Sequence, residues 1–308
     1  MDLYKITKGN KLELIELTKF DLEKDIQTVI EKNTQELFNL RFIKSEFPIN
    51  SYRLDTLCFN EETKSFVIIE YKNTNSYSVV DQGFTYLSTM LNNKSDFVLE
   101  YNEVTGTNIK RDQIDWSQSR VIFISPSFSQ FQRDSVNFKD IPFELWEVKK
   151  YSNEQIGLKQ ITNSSRQSIK GLEKSKDKVL SEVEVFDEES ILKKSTEEIR
   201  NLYEEIKERI SSWNDISFSS GKDYIKVLRG NKVKIYLKPQ KKQLKIDMVR
   251  RSDFKGNVQS VPIKFTLDDP KKLFKLNVRD HQENYILDVT NNKNLDYILL
   301  MMKQKFDS

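Results

Sequence analysis

Asp55, Glu70 and Lys72 are the residues of this chain whose types and spacing best suit chemistry. They lie in two apolar runs, Leu54–Phe59 and Phe66–Tyr71, separated by the polar hexapeptide Asn60–Ser65. That pattern predicts a β-hairpin with a short loop. In a symmetric hairpin Phe59 faces Phe66, Leu57 faces Ile68 and Asp55 faces Glu70. Side chains alternate across a strand, so Glu70 and Lys72 share a face while Tyr71 points the other way. Like charges placed directly opposite are destabilising, and one lysine offsets two carboxylates only in part. A hard divalent cation such as Mg²⁺, which takes oxygen ligands from one or two carboxylates plus water, would remove the conflict. The alternative is a surface ion pair on an ordinary hairpin.

Composition narrows the chemistry. A chain of 308 residues is long enough for two domains. Its one cysteine, Cys58, excludes an intrachain disulfide and a cysteine-rich zinc site. Its one histidine, His281, excludes mechanisms that need two, and a Ser-His-Asp triad would have to recruit it from the polar context Arg-Asp-His-Gln-Glu-Asn. Acid–base or metal chemistry therefore rests on carboxylates and lysines. The formal net charge of +3 is too small to argue for nucleic acid by itself. No apolar stretch approaches the roughly 20 residues of a membrane span. The N-terminal Met-Asp-Leu-Tyr-Lys-Ile lacks a signal-peptide core. The expectation is a soluble cytoplasmic protein with no membrane partner.

The elements that must position the triplet follow from periodicity. Leu12–Leu17 reads as a short strand or lead-in. Apolar residues at Leu22, Ile26, Val29, Ile30 and Leu37 predict an amphipathic helix over about 21–38, capped from Thr18 or Asp21. Glu23 lies at the edge of that stripe. It either looks toward a sheet edge or is a solvated first-turn glutamate favoured by the helix dipole. Phe42–Phe47 predicts a strand stopped by Pro48, with Glu46 a second candidate for an additional carboxylate. Beyond a polar loop over 73–78, Asp81 caps a helix to about Asn92, on which Gln82 and Tyr86 share a face. Val121–Ile124 and Phe143–Lys149 read as strands, with a helix or loop over 127–137 between them.

Asp55, then Glu70-Tyr71-Lys72, resembles the catalytic core of the PD-(D/E)xK nuclease superfamily, with Leu54-Asp55 at the "PD" position and the usual proline missing. Gln82-x-x-x-Tyr86 after it resembles the motif of the RecB-like branch, and residues 20–150 are similar to the nuclease part of NucS-type endonucleases. The resemblance implies an α/β, restriction-endonuclease-like mixed sheet flanked by helices, with the hairpin central. It implies Mg (or Mn) held by Asp55, Glu70 and the backbone carbonyl of Tyr71, with Lys72 acting on the attacking water. It further implies Glu23 as a third acidic group, Gln82 and Tyr86 at the site's border, and DNA as substrate. The implied activity is that of a Mg-dependent deoxyribonuclease. The alternative is a catalytically silent nuclease-like module that binds nucleic acid or protein. A homodimer is compatible with either.

Residues 152–190 turn polar and read as a linker between a domain at 1–151 and a smaller α+β domain at 191–308. The latter is similar to a small domain of unknown function that goes by the label of a predicted transport protein, a description at odds with the lack of a membrane segment. Its helix runs through Ile199, Leu202, Tyr203, Ile206 and Ile210, its strands lie near 224–228, 232–238, 244–249 and 285–289, and a helix over 295–306 closes it. Between Arg229 and Lys255 ten basic residues stand against two acidic ones, a local balance of +8. Alternation puts Lys234, Tyr236 and Lys238 on one strand face, with Lys241 and Lys242 following. A basic face with an aromatic between suits a nucleic-acid backbone and an exposed base. Lysines also line exposed strands simply to prevent edge-to-edge aggregation.

Overall fold

The computed structural model describes residues 2–72, 79–162, 165, 167–168, 179–230, 232–252, 261–279 and 282–308. The loop over 73–78 and His281 lie outside these residues. The chain divides into two compact units, Met1–Val185 and Phe186–Ser308. The division falls later than the expected boundary after residue 151. Part of the expected linker belongs to the first unit: Ile156–Ile161 forms a strand, and Val179, Leu180 and Val183 are buried in that unit's core. These are short apolar groups in a polar background, and composition hides them.

The first unit begins with a separate hairpin of β1 (Leu3–Ile6) and β2 (Leu12–Ile15). Next come β3 (Leu17–Thr18), helices α1 (Glu23–Glu31) and α2 (Thr34–Phe38), and strands β4 (Arg41–Ile49), β5 (Tyr52–Asn60) and β6 (Ser65–Tyr71). Helices α3 (Val79–Asn92) and α4 (Lys94–Thr105) lead to β7 (Arg120–Ser125), α5 (Gln130–Ser135), β8 (Phe143–Tyr151) and β9 (Ile156–Ile161). The sheet order is β3-β8-β7-β6-β5-β4, with β9 also paired to β8. β6, β7 and β8 run parallel, whereas β4, β5 and β6 pair antiparallel. It is a mixed sheet with a helical layer on each face.

Several elements differ from expectation for local reasons. The helix expected over 21–38 is two helices, broken where Asn33 donates its side-chain amide back to the Val29 carbonyl. Its first turn is capped by Asp25, whose carboxylate accepts the Leu22 N–H at 3.0 Å, in place of Thr18 or Asp21. Pro48 does not stop β4, because β4 is the sheet edge, where a missing N–H costs no ladder bond. Helix α4 is invisible to apolar periodicity because its apolar residues surround the axis: Phe97, Val98 and Tyr101 are buried while Leu99 and Val104 are exposed.

The second unit has α6 (Glu188–Leu192), α7 (Glu197–Ile210), strands β10 (Ile216–Ser220), β11 (Ile225–Arg229), β12 (Lys232–Pro239), β13 (Leu244–Ser252), β14 (Lys275–Arg279) and β15 (Gln282–Val289), and α8 (Leu295–Asp307). The strands form an antiparallel sheet in the order β10-β11-β12-β13-β15-β14. Its core joins Leu202, Tyr203 and Ile206 of α7 and Met301, Met302 and Phe306 of α8 to Val227, Ile235, Leu237 and Met248 of the sheet. Among the described residues no helix is long and apolar enough to cross a membrane.

Helix α3 lies very close to the first unit's sheet. A Cβ on Gly83 would stand 2.6 Å from the ring of Phe143, itself buried on β8. Gly83→Ala gains about 1 kcal/mol of helix propensity but overpacks a filled core, which costs typically about 1–3 kcal/mol. The expected net effect is a lower denaturation midpoint in urea; an unchanged or raised midpoint would show that Phe143 has room to move.

Candidate active site

Every residue of β6 is buried, because the strand is covered on both faces. Alternation sends Phe66 and Ile68 into the core beneath α3 and α4, and Val67, Ile69 and Tyr71 into the core beneath α1. Glu70 therefore falls on the α3 side. The β5–β6 ladder has Phe59 opposite Phe66 and Leu57 opposite Ile68, the register that the hairpin predicts. Its last pair is Thr56 with Ile69. One step further, Asp55 turns its carboxylate onto the backbone and accepts the Tyr71 N–H at 3.0 Å. The Lys72 N–H is taken on the other side by the Ile124 carbonyl of β7 at 2.9 Å. The Glu-x-Lys segment is thus clamped between β5 and β7.

Glu70 is 3% exposed and its Oε1 collects three donors. Lys72 Nζ lies at 2.7 Å, Gln82 Nε2 at 2.5 Å and the Tyr86 hydroxyl at 3.4 Å. Gln82 Nε2 also donates to the Tyr86 hydroxyl at 2.8 Å, which fixes the i, i+4 pair as one unit on α3. The other oxygen, Glu70 Oε2, is sealed from solvent and has no donor among the described residues. Burial, and after it the charge of Asp55, pushes the Glu70 carboxyl up to about 7 against the opposing pull of Lys72. Asp55 is also raised, first by burial; the Tyr71 amide and Lys72 work against the shift and Glu23 adds to it.

The structure brings Asp55, Glu70, Lys72, Gln82 and Tyr86 together. Glu23 stays exposed in the first turn of α1, and its charge reaches Asp55. Among the described residues no group of three or more His, Cys, Asp or Glu side chains could hold a metal ion, so Glu23 does not complete a three-carboxylate set. Glu46, at a left-handed φ of 53°, is engaged by Lys24 at 3.1 Å and Arg53 at 2.7 Å.

Sequence reading missed Gln27. It is 4% exposed and donates from Nε2 to the Asp55 carbonyl at 3.0 Å, Glu31 Oε1 at 2.8 Å and Ser45 Oγ at 3.2 Å. Glu31 Oε1 in turn accepts from Thr56 Oγ1 at 2.6 Å, and Thr56 Oγ1 lies 3.1 Å from the Tyr71 hydroxyl. This buried network holds β5 from the α1 side where its ladder with β6 opens. The available signal was a glutamine between Ile26 and Ile30 on the helix's buried arc.

The basic candidates of the second unit are less alike than alternation implies. Tyr236 is buried edge-on against Tyr224 with ring centroids 5.5 Å apart, so it offers no face for an exposed base, contrary to expectation. Lys238 pairs with Asp247 of β13 at 2.5 Å. The Lys234 ammonium bonds the Ser308 carbonyl oxygen. Lys241 and Lys242 are exposed at the turn between β12 and β13.

In class this is a two-unit α/β protein whose first unit carries a buried carboxylate–lysine centre on the central strand of a mixed sheet. The chain belongs to the family of an uncharacterised protein of Haemophilus influenzae, to which it is 40% identical over 307 residues covering 97% of each chain. No family model matches it. Among solved structures it aligns with a repair endonuclease from Pyrococcus abyssi at 20% identity and a TM-score of 0.20, over 39% of this chain and 43% of that one. It also aligns with Pyrococcus furiosus SfsA in complex with Ca²⁺ at 14% identity and a TM-score of 0.25, over 52% and 75%. Likenesses this low carry no argument about activity.

The raised Glu70 pKa has a measurable consequence. In the folded state Glu70 holds its proton up to about pH 7, whereas in the unfolded chain it releases it near 4.5. The unfolded state then binds fewer protons, so this group's contribution to stability falls as pH rises from about 4.5 to about 7. With EDTA present, Asp55→Asn should flatten that decline, since it removes one of the charges that raise Glu70. Urea titrations at several pH values check this, and equal slopes in the two proteins would count against Asp55 as a source of the shift.

Proposed function

We propose that the first unit is a metal-dependent nuclease domain of the PD-(D/E)xK type that hydrolyses phosphodiester bonds, those of DNA above all. One observation carries the reading. Asp55 and Glu70 converge with Lys72 at the end of the sheet's central strand, an arrangement that costs stability and serves no packing need. The donor set fits a hard cation: two carboxylates, one with a buried oxygen lacking any donor among the described residues.

Asp55, Glu70 and the carbonyl of Tyr71 would hold Mg²⁺ or Mn²⁺, which when bound supplies Lewis-acid polarisation of the phosphate and a more acidic water. Lys72, 2.7 Å from Glu70, would orient or deprotonate the attacking water and stabilise negative charge developing on the phosphate. Gln82 and Tyr86 hold Glu70 by Oε1 and so leave Oε2 as the free ligand. Sequence preference does not follow from these contacts, which address the backbone alone.

A silent binding module is the second reading. It is favoured by one fact: Lys72, Gln82 and Tyr86 already satisfy Glu70 Oε1 within the protein. Incubating the purified chain with linear, branched and single-stranded DNA in Mg²⁺, Mn²⁺ or EDTA separates the two.

Under the nuclease reading Asp55→Ala abolishes Mg²⁺-dependent cleavage and weakens Mn²⁺ binding in isothermal titration. Equal affinity in the two proteins would remove the metal assignment. Lys72→Ala should lower the cleavage rate by roughly 10²–10⁴-fold, as expected for loss of a proton-transfer group, with DNA affinity changed by no more than one phosphate contact.

For the second unit, the exposed Lys241 and Lys242 are the residues we assign to a nucleic-acid backbone. Changing both to Gln should lower the slope of log K against log salt by roughly 0.7–0.9 for each phosphate no longer neutralised. An unchanged slope would mean that the turn is merely solvated.

A further inference from the structure

A half-exposed tyrosine stands next to the candidate active site. Tyr52 begins β5 and is 43% exposed. Leu54, two residues on, enters the core beneath α3, so alternation puts Tyr52 on that same face of the sheet. There β5 is paired with β4, Tyr52 opposite Ile49, while its ladder with β6 begins only at Thr56. The Tyr52 ring meets the Tyr86 ring edge-on with centroids 6.4 Å apart, and the Tyr86 hydroxyl lies 3.4 Å from Glu70 Oε1. One tyrosine side chain therefore separates Tyr52 from a carboxylate of the candidate metal site.

A cleft of about 340 Å³ lies between Tyr52 and one flank of α3, with Asp81, Thr85, Thr89 and Val179 among the residues that line it. That volume suits a small planar group. No lysine or arginine among the described residues lines the cleft, and Asp81 gives it a carboxylate. A phosphate there would meet an anion and no cation, so the cleft does not take a strand's backbone. Its hydroxyls are open to a ligand. Thr28 and Thr105 return theirs to the carbonyl four residues back in the helix, whereas the hydroxyls of Thr85 and Thr89 make no hydrogen bond among the described residues. An aromatic face beside unengaged hydroxyls matches a nucleobase, which has a π-face to stack and edges that donate and accept.

We propose that this cleft binds an unpaired nucleobase of the strand being cut, stacked on Tyr52 and hydrogen-bonded by Thr85 and Thr89. Its occupant follows from the nuclease reading above; its place and lining do not depend on that reading. A base inside a duplex is stacked on both faces and out of reach. The cleft therefore selects DNA that is single-stranded or opened beside the scissile phosphate. It does so without choosing a sequence, since every base can stack.

The test uses the full chain in EDTA, where cleavage by the first unit plays no part. A single-stranded oligonucleotide carrying one 5-iodouracil is irradiated with the protein, and the attachment point is mapped by peptide mass spectrometry. In parallel, fluorescence anisotropy gives the affinity for single-stranded and fully paired oligonucleotides in the wild type, Tyr52→Ala and Tyr52→Phe. If Tyr52→Ala lowers the urea midpoint, Tyr52→Leu, which still covers Tyr86, takes its place. The expected result is a cross-link on Tyr52 and a roughly 5- to 150-fold loss of single-strand affinity in Tyr52→Ala, the equivalent of one base stack. Duplex affinity should stay unchanged, and Tyr52→Phe should bind as the wild type does. A chain that cross-links at Tyr52 but cuts no DNA in Mg²⁺ or Mn²⁺ would uphold the cleft and remove the nuclease reading. Cleavage combined with equal single-strand affinity in wild type and Tyr52→Ala would do the reverse. A chain that binds neither oligonucleotide, or cross-links only outside β5 and α3, would overturn the cleft as a base site.

Discussion

A carboxylate with no solvent on either face of its strand, set beside a second carboxylate, is the constraint on which the first unit depends. Glu70 is reached by side-chain donors from its own strand and from α3, so α3 must lie hard against the sheet. That explains a glycine at position 83, where any side chain would strike Phe143. Asp55 meets the Tyr71 amide only because β5 parts from β6 after Thr56. Gln27 from α1 holds the departing strand by its Asp55 carbonyl. Both helical layers are thus tied to the open end of one hairpin.

The hairpin and its register were legible in the sequence because alternation and a symmetric loop leave few choices. The contact of Gln82 and Tyr86 was legible for a similar reason, since a four-residue spacing fixes a shared helix face. Gln27 was not, because its role is set by a strand that pairs elsewhere in the chain. The break at Asn33 was not, because the apolar pattern continues across it to Leu37. Residues 156–161 were hidden by polarity: none of them is buried, and Leu158 and Ile161 pack only partly, each against a different core.

The second unit shows the limit of counting charge along a strand. Alternation correctly separates Ile235 and Leu237, which join the core, from Tyr236 and Lys238. It does not reveal that Asp247 waits across the ladder for Lys238, or that Tyr224 covers Tyr236. A bulge then takes Lys234 out of the alternation. Partners belong to the register between strands, and the charge on a face is known only after that register is.

The outer strand of the first sheet has a consequence for assembly. β4 carries a bulge between Phe42 and Lys44, a left-handed residue at Glu46 and a proline at position 48 that has no N–H to offer. A foreign strand could not extend hydrogen bonding along such a margin without meeting a kink or a missing donor. Recruitment of another polypeptide by strand addition is therefore closed on that side of the sheet.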